Sequence, residues 1–285
     1  MWLITAGNAF AAATAGALAY FWGPQVVFYL LASMAIASSV SILAIPKQSI
    51  DHNLARGLND AKSHDAKATG DDRPTGLTVL LTCRPLLIFA GCAIMFHFAN
   101  AAMLPLVGQK LALQDKNLGT SLMSACIVAA QVVMVPMAML VGAKADAWGR
   151  KPLFLIALSV LTIRGCLYPL SDNPYWLVGV QLLDGVGAGI YGAVFPVIVA
   201  DLMRGTGRFN VAQGAIITAQ GIGAALSTTL AGIVVVQAGY SAAFLTLAGV
   251  AIVGLGIYFF VMPETQPRVP AKAEATRRKV VLAGE

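Results

Sequence analysis

Charged residues are scarce in this chain. Only 11% of its 285 residues are charged, with 13 acids and 19 bases, against about 25% in an ordinary soluble domain. A water-facing surface needs ions to cover it, so this shortage excludes a soluble globular protein more firmly than the 58% hydrophobic content does. Cysteine is sparse too. Cys83, Cys92, Cys126 and Cys166 are scattered without a CxxC pair. They give no basis for a disulfide framework or a metal centre, and they read as small apolar packing residues. The phosphate-binding GxxxxGK[ST], the HExxH helix and the GxSxG elbow are all missing. ATP-driven pumping and hydrolytic chemistry therefore lack their usual residues, and no cofactor is implied. The net charge of +6 does not point to nucleic acid, because the basic residues sit in short loops between apolar blocks and not on one amphipathic face.

What the chain has in quantity is apolar length. Its mean hydropathy is +0.76, and the apolar residues fall in blocks of the roughly 20 residues a helix needs to cross a bilayer. Eight blocks qualify: Leu3–Tyr20, Val26–Ile45, Leu86–Leu106, Leu118–Val141, Pro152–Leu170, Tyr175–Ala200, Val211–Val236 and Ser241–Met262. Alternating ten-residue segments that could close a barrel are not present, so the spacing predicts an all-α integral membrane protein. The first block lacks a basic n-region, and a second block follows five residues later, which is unlike a signal peptide. Residues 46–85 read as a polar cytoplasmic linker, with His52 and His64 as solvated loop residues.

Basic residues set the orientation. Lys47, Arg56, Lys62, Lys67, Arg73 and Arg84 follow the second block. Lys144, Arg150 and Lys151 follow the fourth, and Arg204 and Arg208 the sixth. Arg268, Lys272, Arg277, Arg278 and Lys279 lie in the tail. The alternate loops hold only Lys110 and Lys116. Both termini are therefore expected on the cytoplasmic side of the cell's inner (cytoplasmic) membrane.

The sequence repeats itself. Under a shift of 216 residues Gly7 meets Gly223, Gly16 meets Gly232, Gly23 meets Gly239 and Phe28 meets Phe244 without a gap. Such duplication builds many transporter folds. If blocks seven and eight close a six-helix unit that begins at block three, blocks one and two should close a preceding unit. Four helices of that unit are missing, so the expectation is a truncated chain or an internal start at Met1, and no transport by the 285 residues alone.

Between the fourth and fifth blocks stands Gly142-Ala143-Lys144-Ala145-Asp146-Ala147-Trp148-Gly149-Arg150-Lys151-Pro152. It resembles the G-x-x-x-D-x-x-G-R-[KR] cytoplasmic loop of the major facilitator superfamily. Pro263-Glu264-Thr265 after the last block resembles a common ending in that family. The resemblance covers the whole chain as family helices five to twelve. It implies two helices of an N-terminal bundle (1–45), the linker, a complete six-helix C-terminal bundle (86–262) and a tail (263–285). It also implies secondary transport of a small solute by alternating access, with the bilayer, the solute and a coupling proton as partners. The weakly polar helices lean towards efflux, as in drug exporters and antiporters. A non-transporting remnant or partner subunit, and a membrane-embedded enzyme, are the alternatives. In the family the loop latches the cytoplasmic side, which makes Gly142, Asp146, Gly149, Arg150 and Lys151 a candidate gate. Gly142 and Gly149 are expected to form its turn. Asp146 should face a helix N-terminus or a basic partner, and Arg150 and Lys151 the lipid headgroups. Ala147 stands where the family often has a base.

Ionisable residues inside a span are costly and mark function. Arg164 and Asp184 lie at matching depths, as a buried pair or with Asp184 as an independent proton or substrate site. His97 and Asn100 share one face of the third span, and either substrate contact or helix–helix hydrogen bonding accounts for them. Gln131, Gln181 and Gln220 are further cavity candidates. Gly187–Gly192 spells G-x-G-x-x-G, but no strand precedes it. Gly185 and Gly189 form a GxxxG packing pair instead, and Pro196 is a kink candidate.

Overall fold

The computed structural model describes residues 2–23, 25–46, 78–114 and 116–266. Most of the expected linker, with its two histidines, and nearly all of the expected tail lie outside the described residues. The elements are α1 (Trp2–Trp22), α2 (Val26–Leu43), a one-turn α3 (Val79–Thr82), α4 (Arg84–Asn100), α5 (Met103–Gln114), α6 (Lys116–Trp148), α7 (Arg150–Leu167), a 3₁₀ turn (Tyr168–Leu170), α8 (Pro174–Leu202) and α9 (Phe209–Val261). Local chemistry explains several boundaries. Pro85 starts α4, and Pro174 starts α8, where Asn173 Oδ1 accepts the Tyr175 N–H at 2.9 Å.

Three boundaries differ from the sequence expectation. The third span breaks at Ala101–Ala102 and continues to Gln114. Pro105 lacks an N–H and its ring crowds the carbonyl four residues back, which is that of Ala101. The fourth span runs on through the presumed loop to Trp148, because Ala143, Ala145 and Ala147 favour helix. The last two spans form one run of 53 residues, interrupted at Gly239 by φ +81° and ψ 174°. At 1.5 Å per residue this run is about 80 Å long, more than twice the hydrocarbon thickness. It must therefore cross twice, with its turn at Gly239. Gly23, the residue paired with Gly239 by the 216-residue shift, also has a left-handed φ of +87° between α1 and α2. The repeat is thus one of backbone geometry as well as of letters.

Six described helices are long and apolar enough to cross a membrane. Counting the two arms of α9 separately gives seven, and the apolar 21-residue α1 makes eight. Helices α4–α9 enclose the core. α8 packs on α6 and α7, α9 packs on α4 and α7, and α1 lies on α6. Gly185 and Gly189 permit the tightest crossing. A Cβ on Gly185 would stand 2.2 Å from the Ala130 carbonyl oxygen, and one on Gly189 would stand 2.9 Å from that of Met134. Outward positions are apolar, among them Leu182, Ile222, Leu226, Ile233 and Phe260. That surface suits lipid.

Candidate functional site

Among the described residues, the bundle interior holds a connected polar cluster centred on Arg164 in the last turn of α7. This residue is 1% exposed and lies about 21 Å along the helix from Arg150. Its Nη1 donates to Asp184 Oδ1 from α8. Nη2 donates to Asn100 Oδ1 at 2.6 Å, and Nε meets the Met103 sulfur at 3.3 Å. Gln181, one helical turn before Asp184, donates to the second carboxylate oxygen at 3.0 Å and accepts from the buried Tyr168 hydroxyl. The Tyr168 ring also lies 5.9 Å from the guanidinium centre. Both carboxylate oxygens and all three guanidinium nitrogens are therefore engaged. This satisfaction is what makes a buried ion pair tolerable, since loss of either partner strands the other in a medium that cannot solvate it. Asp184 keeps 18% of its side chain exposed, and Asn100 is also only partly buried, so the cluster is not fully sealed.

A second constellation lies at the other end of α7. The turn is made by Gly149 alone, at φ +85°. Gly142 lies within α6, and a Cβ there would meet nothing within 4 Å. The expected two-glycine turn is thus corrected: the alanines carry the helix past Gly142, and only Gly149 needs the left-handed conformation. The expected positions of the charges are corrected as well. Arg150 is buried, not at the headgroups. Its Nε donates to Asp201 Oδ2 at 2.9 Å, and its Nη1 reaches the Ala145 carbonyl at 3.2 Å and Asp146 Oδ1 at 2.8 Å. Asp146 is 91% exposed and does meet the basic partner expected as the alternative, Arg150, but it caps no helix start. Glu264 does that work, accepting the backbone N–H groups of Arg150 and Lys151 at 3.0 Å each. Partial burial raises the Glu264 pKa, but the N–H donors of Gln266, Lys151, Arg150 and Thr265 outweigh it and hold the carboxyl below its ordinary 4.5. The side chain of Lys151 extends over the Phe259 ring at 5.8 Å. Gln266 donates to the Asp146 carbonyl, so the segment after α9 is stitched to the loop at both ends.

The family model for the Major Facilitator Superfamily matches residues 1–163 and 89–284, two overlapping stretches as befits a duplicated sequence. The chain belongs to the major facilitator superfamily. Two curated relatives, both described as uncharacterized MFS-type transporters of Mycobacterium tuberculosis (strains CDC 1551 and H37Rv), are 58% identical to it over 260 residues. The match covers 91% of this chain and 61% of each relative, so the chain spans about three-fifths of their length.

Within this facilitator bundle the remaining sequence candidates separate. Asn100 and Gln181 join Arg164 and Asp184; His97 does not. Its Nδ1 lies 3.2 Å from the Ala93 carbonyl, and its ring stands edge-on to Tyr191 at 5.1 Å. Gln220 donates to the Tyr191 hydroxyl at 2.5 Å. Gln131 Oε1 is buried without a hydrogen-bond partner. Sequence reasoning missed Tyr168, Met103, Tyr191 and Asp201 as partners of the candidate residues. Asp201 could have been found, because an acid at the end of a span beside basic residues calls for a buried base. The aromatic and sulfur partners carry no such signal in the sequence.

Proposed function

We propose that this facilitator chain serves secondary transport of a small solute by alternating access across the cytoplasmic membrane, with export as its direction and a proton as the coupling ion. The carrying observation is the Arg164–Asp184–Asn100–Gln181 cluster, a fully bonded ion pair inside the bundle with one partly open carboxylate. An ionised group held this way can exchange partners with a proton or a polar solute, whereas a merely structural helix contact has no need of charge in lipid. Residues 86–262 act in this reading as one six-helix bundle, and residues 1–45 as part of a second bundle that rocks against it. The Gly149–Lys151 turn, with Asp201 and Glu264, latches the cytoplasmic end. Membership of the family implies a transporter rather than an enzyme.

The test uses inverted membrane vesicles from cells expressing the complete gene. A panel of amphipathic dyes and drugs is supplied with and without an imposed pH gradient. Gradient-dependent accumulation is expected, together with its loss in Asp184→Asn. Accumulation that ignores both the gradient and Asp184 would refute the coupling and the site.

A further inference from the structure

The interior of α4–α9 carries no net fixed charge. Among the described residues between the cytoplasmic helix ends and the outer Lys110–Asp172 ion pair, the fixed charges are Arg164 and Asp184, which cancel. α9 has none along its 53 residues. A charged solute entering here would leave its hydration without finding a free counter-ion, whereas a neutral one needs only matched hydrogen-bonding partners. Such partners stand on α4. The Ala93 carbonyl can only accept, so the His97 Nδ1 that lies 3.2 Å from it carries the ring hydrogen. Nε2 of the neutral ring is left as an acceptor. Three residues on, Asn100 Oδ1 is taken by Arg164 Nη2 at 2.6 Å, which fixes the amide and leaves its two Nδ2 hydrogens as donors. Neither Nε2 nor Nδ2 meets a partner among the described residues. Both residues are half-buried, and neither atom is a sealed orphan like Gln131 Oε1. An acceptor and a pair of donors therefore lie one turn apart, on Cβ atoms about 5–6 Å from each other. The surroundings hold the imidazole still. It stands edge-on to Tyr191 at 5.1 Å, the Tyr191 ring stacks on Phe96 at 4.3 Å, and the Tyr191 hydroxyl accepts from Gln220 of α9 at 2.5 Å.

We propose that His97 and Asn100 determine the specificity of this bundle, and that they select an uncharged, planar heterocycle with an N–H donor beside a carbonyl acceptor, the pattern of a lactam. His97 Nε2 takes the N–H, and Asn100 Nδ2 gives to the carbonyl. The rigid aromatic wall of Tyr191 and Phe96 behind them suits a flat ring. A lipophilic cation is disfavoured, because Arg164 already holds the carboxylate it would need. The inference rests on the reading of this interior as a solute site and names the chemistry of the solute.

Equilibrium binding to the complete protein in lipid nanodiscs tests it, at pH 8, where an imidazole with the ordinary pKa of about 6.5 is neutral. The probes are 2-quinolinone, its N-methyl derivative (which keeps the carbonyl but has no N–H), indole (which has the N–H but no carbonyl) and the cation tetraphenylphosphonium. 2-Quinolinone should bind saturably, and about tenfold more tightly than either the N-methyl compound or indole, the factor for one buried hydrogen bond. Tetraphenylphosphonium should compete more weakly than 2-quinolinone. His97→Phe keeps a ring against Tyr191 but has no acceptor, so it should bring the ratio of 2-quinolinone to its N-methyl derivative to about one. His97→Gln supplies an acceptor again and should keep a preference for the N–H compound. If His97→Phe binds neither probe, His97→Gln decides: a retained preference supports the proposal, and a ratio of one overturns it. Absence of saturable 2-quinolinone binding would overturn it, as would an undiminished ratio in His97→Phe, equal affinity for indole, or stronger competition by the cation. The two readings fail separately. Selective lactam binding without gradient-driven accumulation in vesicles would refute the transport reading alone. Gradient-driven accumulation of other solutes without lactam selectivity would refute this inference alone.

Discussion

Asp184→Asn should destabilise this protein more than Arg164→Gln, and the pair of changes together should cost less than their sum. The structure sets the asymmetry. The Arg164 side chain is 2% exposed and that of Asp184 is 18% exposed. Removing the carboxylate charge strands a guanidinium that can reach no water and does not give up its proton. The expected cost is about 5 kcal/mol, at the top of the range for a broken buried pair. Removing the guanidinium leaves a carboxylate that still accepts from Gln181 and is the more exposed of the two partners, so about 3 kcal/mol is expected. The double variant leaves two neutral amides facing each other and should recover about 1–3 kcal/mol as coupling energy. Reversible unfolding in mixed micelles of rising denaturing-detergent fraction, followed by tryptophan fluorescence, measures all four corners of the cycle. Effects that add within about 0.5 kcal/mol, or a costlier Arg164→Gln, would refute the reasoning.

Glu264→Gln should lower stability at pH 7 by about 1 kcal/mol, as loss of a helix cap does. Because the folded carboxyl titrates below 4.5, its contribution is present above that value and lost as the pH falls through the depressed folded pKa. Melting curves from pH 7 to pH 3 should therefore converge for wild type and variant at the acid end. Gly185→Ala places a Cβ 2.2 Å from the Ala130 carbonyl and should cost about 1–3 kcal/mol by overpacking; unchanged thermal stability in detergent would contradict the close α6–α8 crossing. For topology, a cysteine at position 172 should react with an impermeant maleimide from outside whole cells and one at position 204 only after lysis. Labelling in the opposite sense would overturn the orientation drawn from the basic loops.

The spans were legible because burial in lipid leaves few choices. A run of some twenty apolar residues without ions has no other stable form, and the eight blocks lie where the helices do. The repeat was legible for a comparable reason, since Gly23 and Gly239 both need the left-handed backbone and few other residues tolerate it. Boundaries were harder. Gly142 and Gly149 look alike as letters, yet only the conformation tells a helical glycine from a turn. The break at Ala101 was hidden because a proline three residues into the outer segment can end a helix or merely bend it, and the Ser227 hydroxyl that takes the Ala102 N–H comes from another helix. The Arg164–Asp184 contact was foreseeable from depth alone. Its extension to Asn100, Met103 and Tyr168 depends on which faces α4 and the 3₁₀ turn present, and hydropathy does not encode that.

The cap on α7 is separated from the helix start it serves by 114 residues of sequence. A ribosome adding about 5–20 residues per second needs on the order of ten seconds to make that stretch. During that time Arg150 and Lys151 are already in place with their N–H groups unmet, and α8 and both arms of α9 have still to enter the membrane. The turn at Gly149 is synthesised after α4–α6 but before α8 and α9, and it is among the last parts of the bundle to lock. A nascent chain stalled anywhere before Glu264 would leave the start of α7 without its cap.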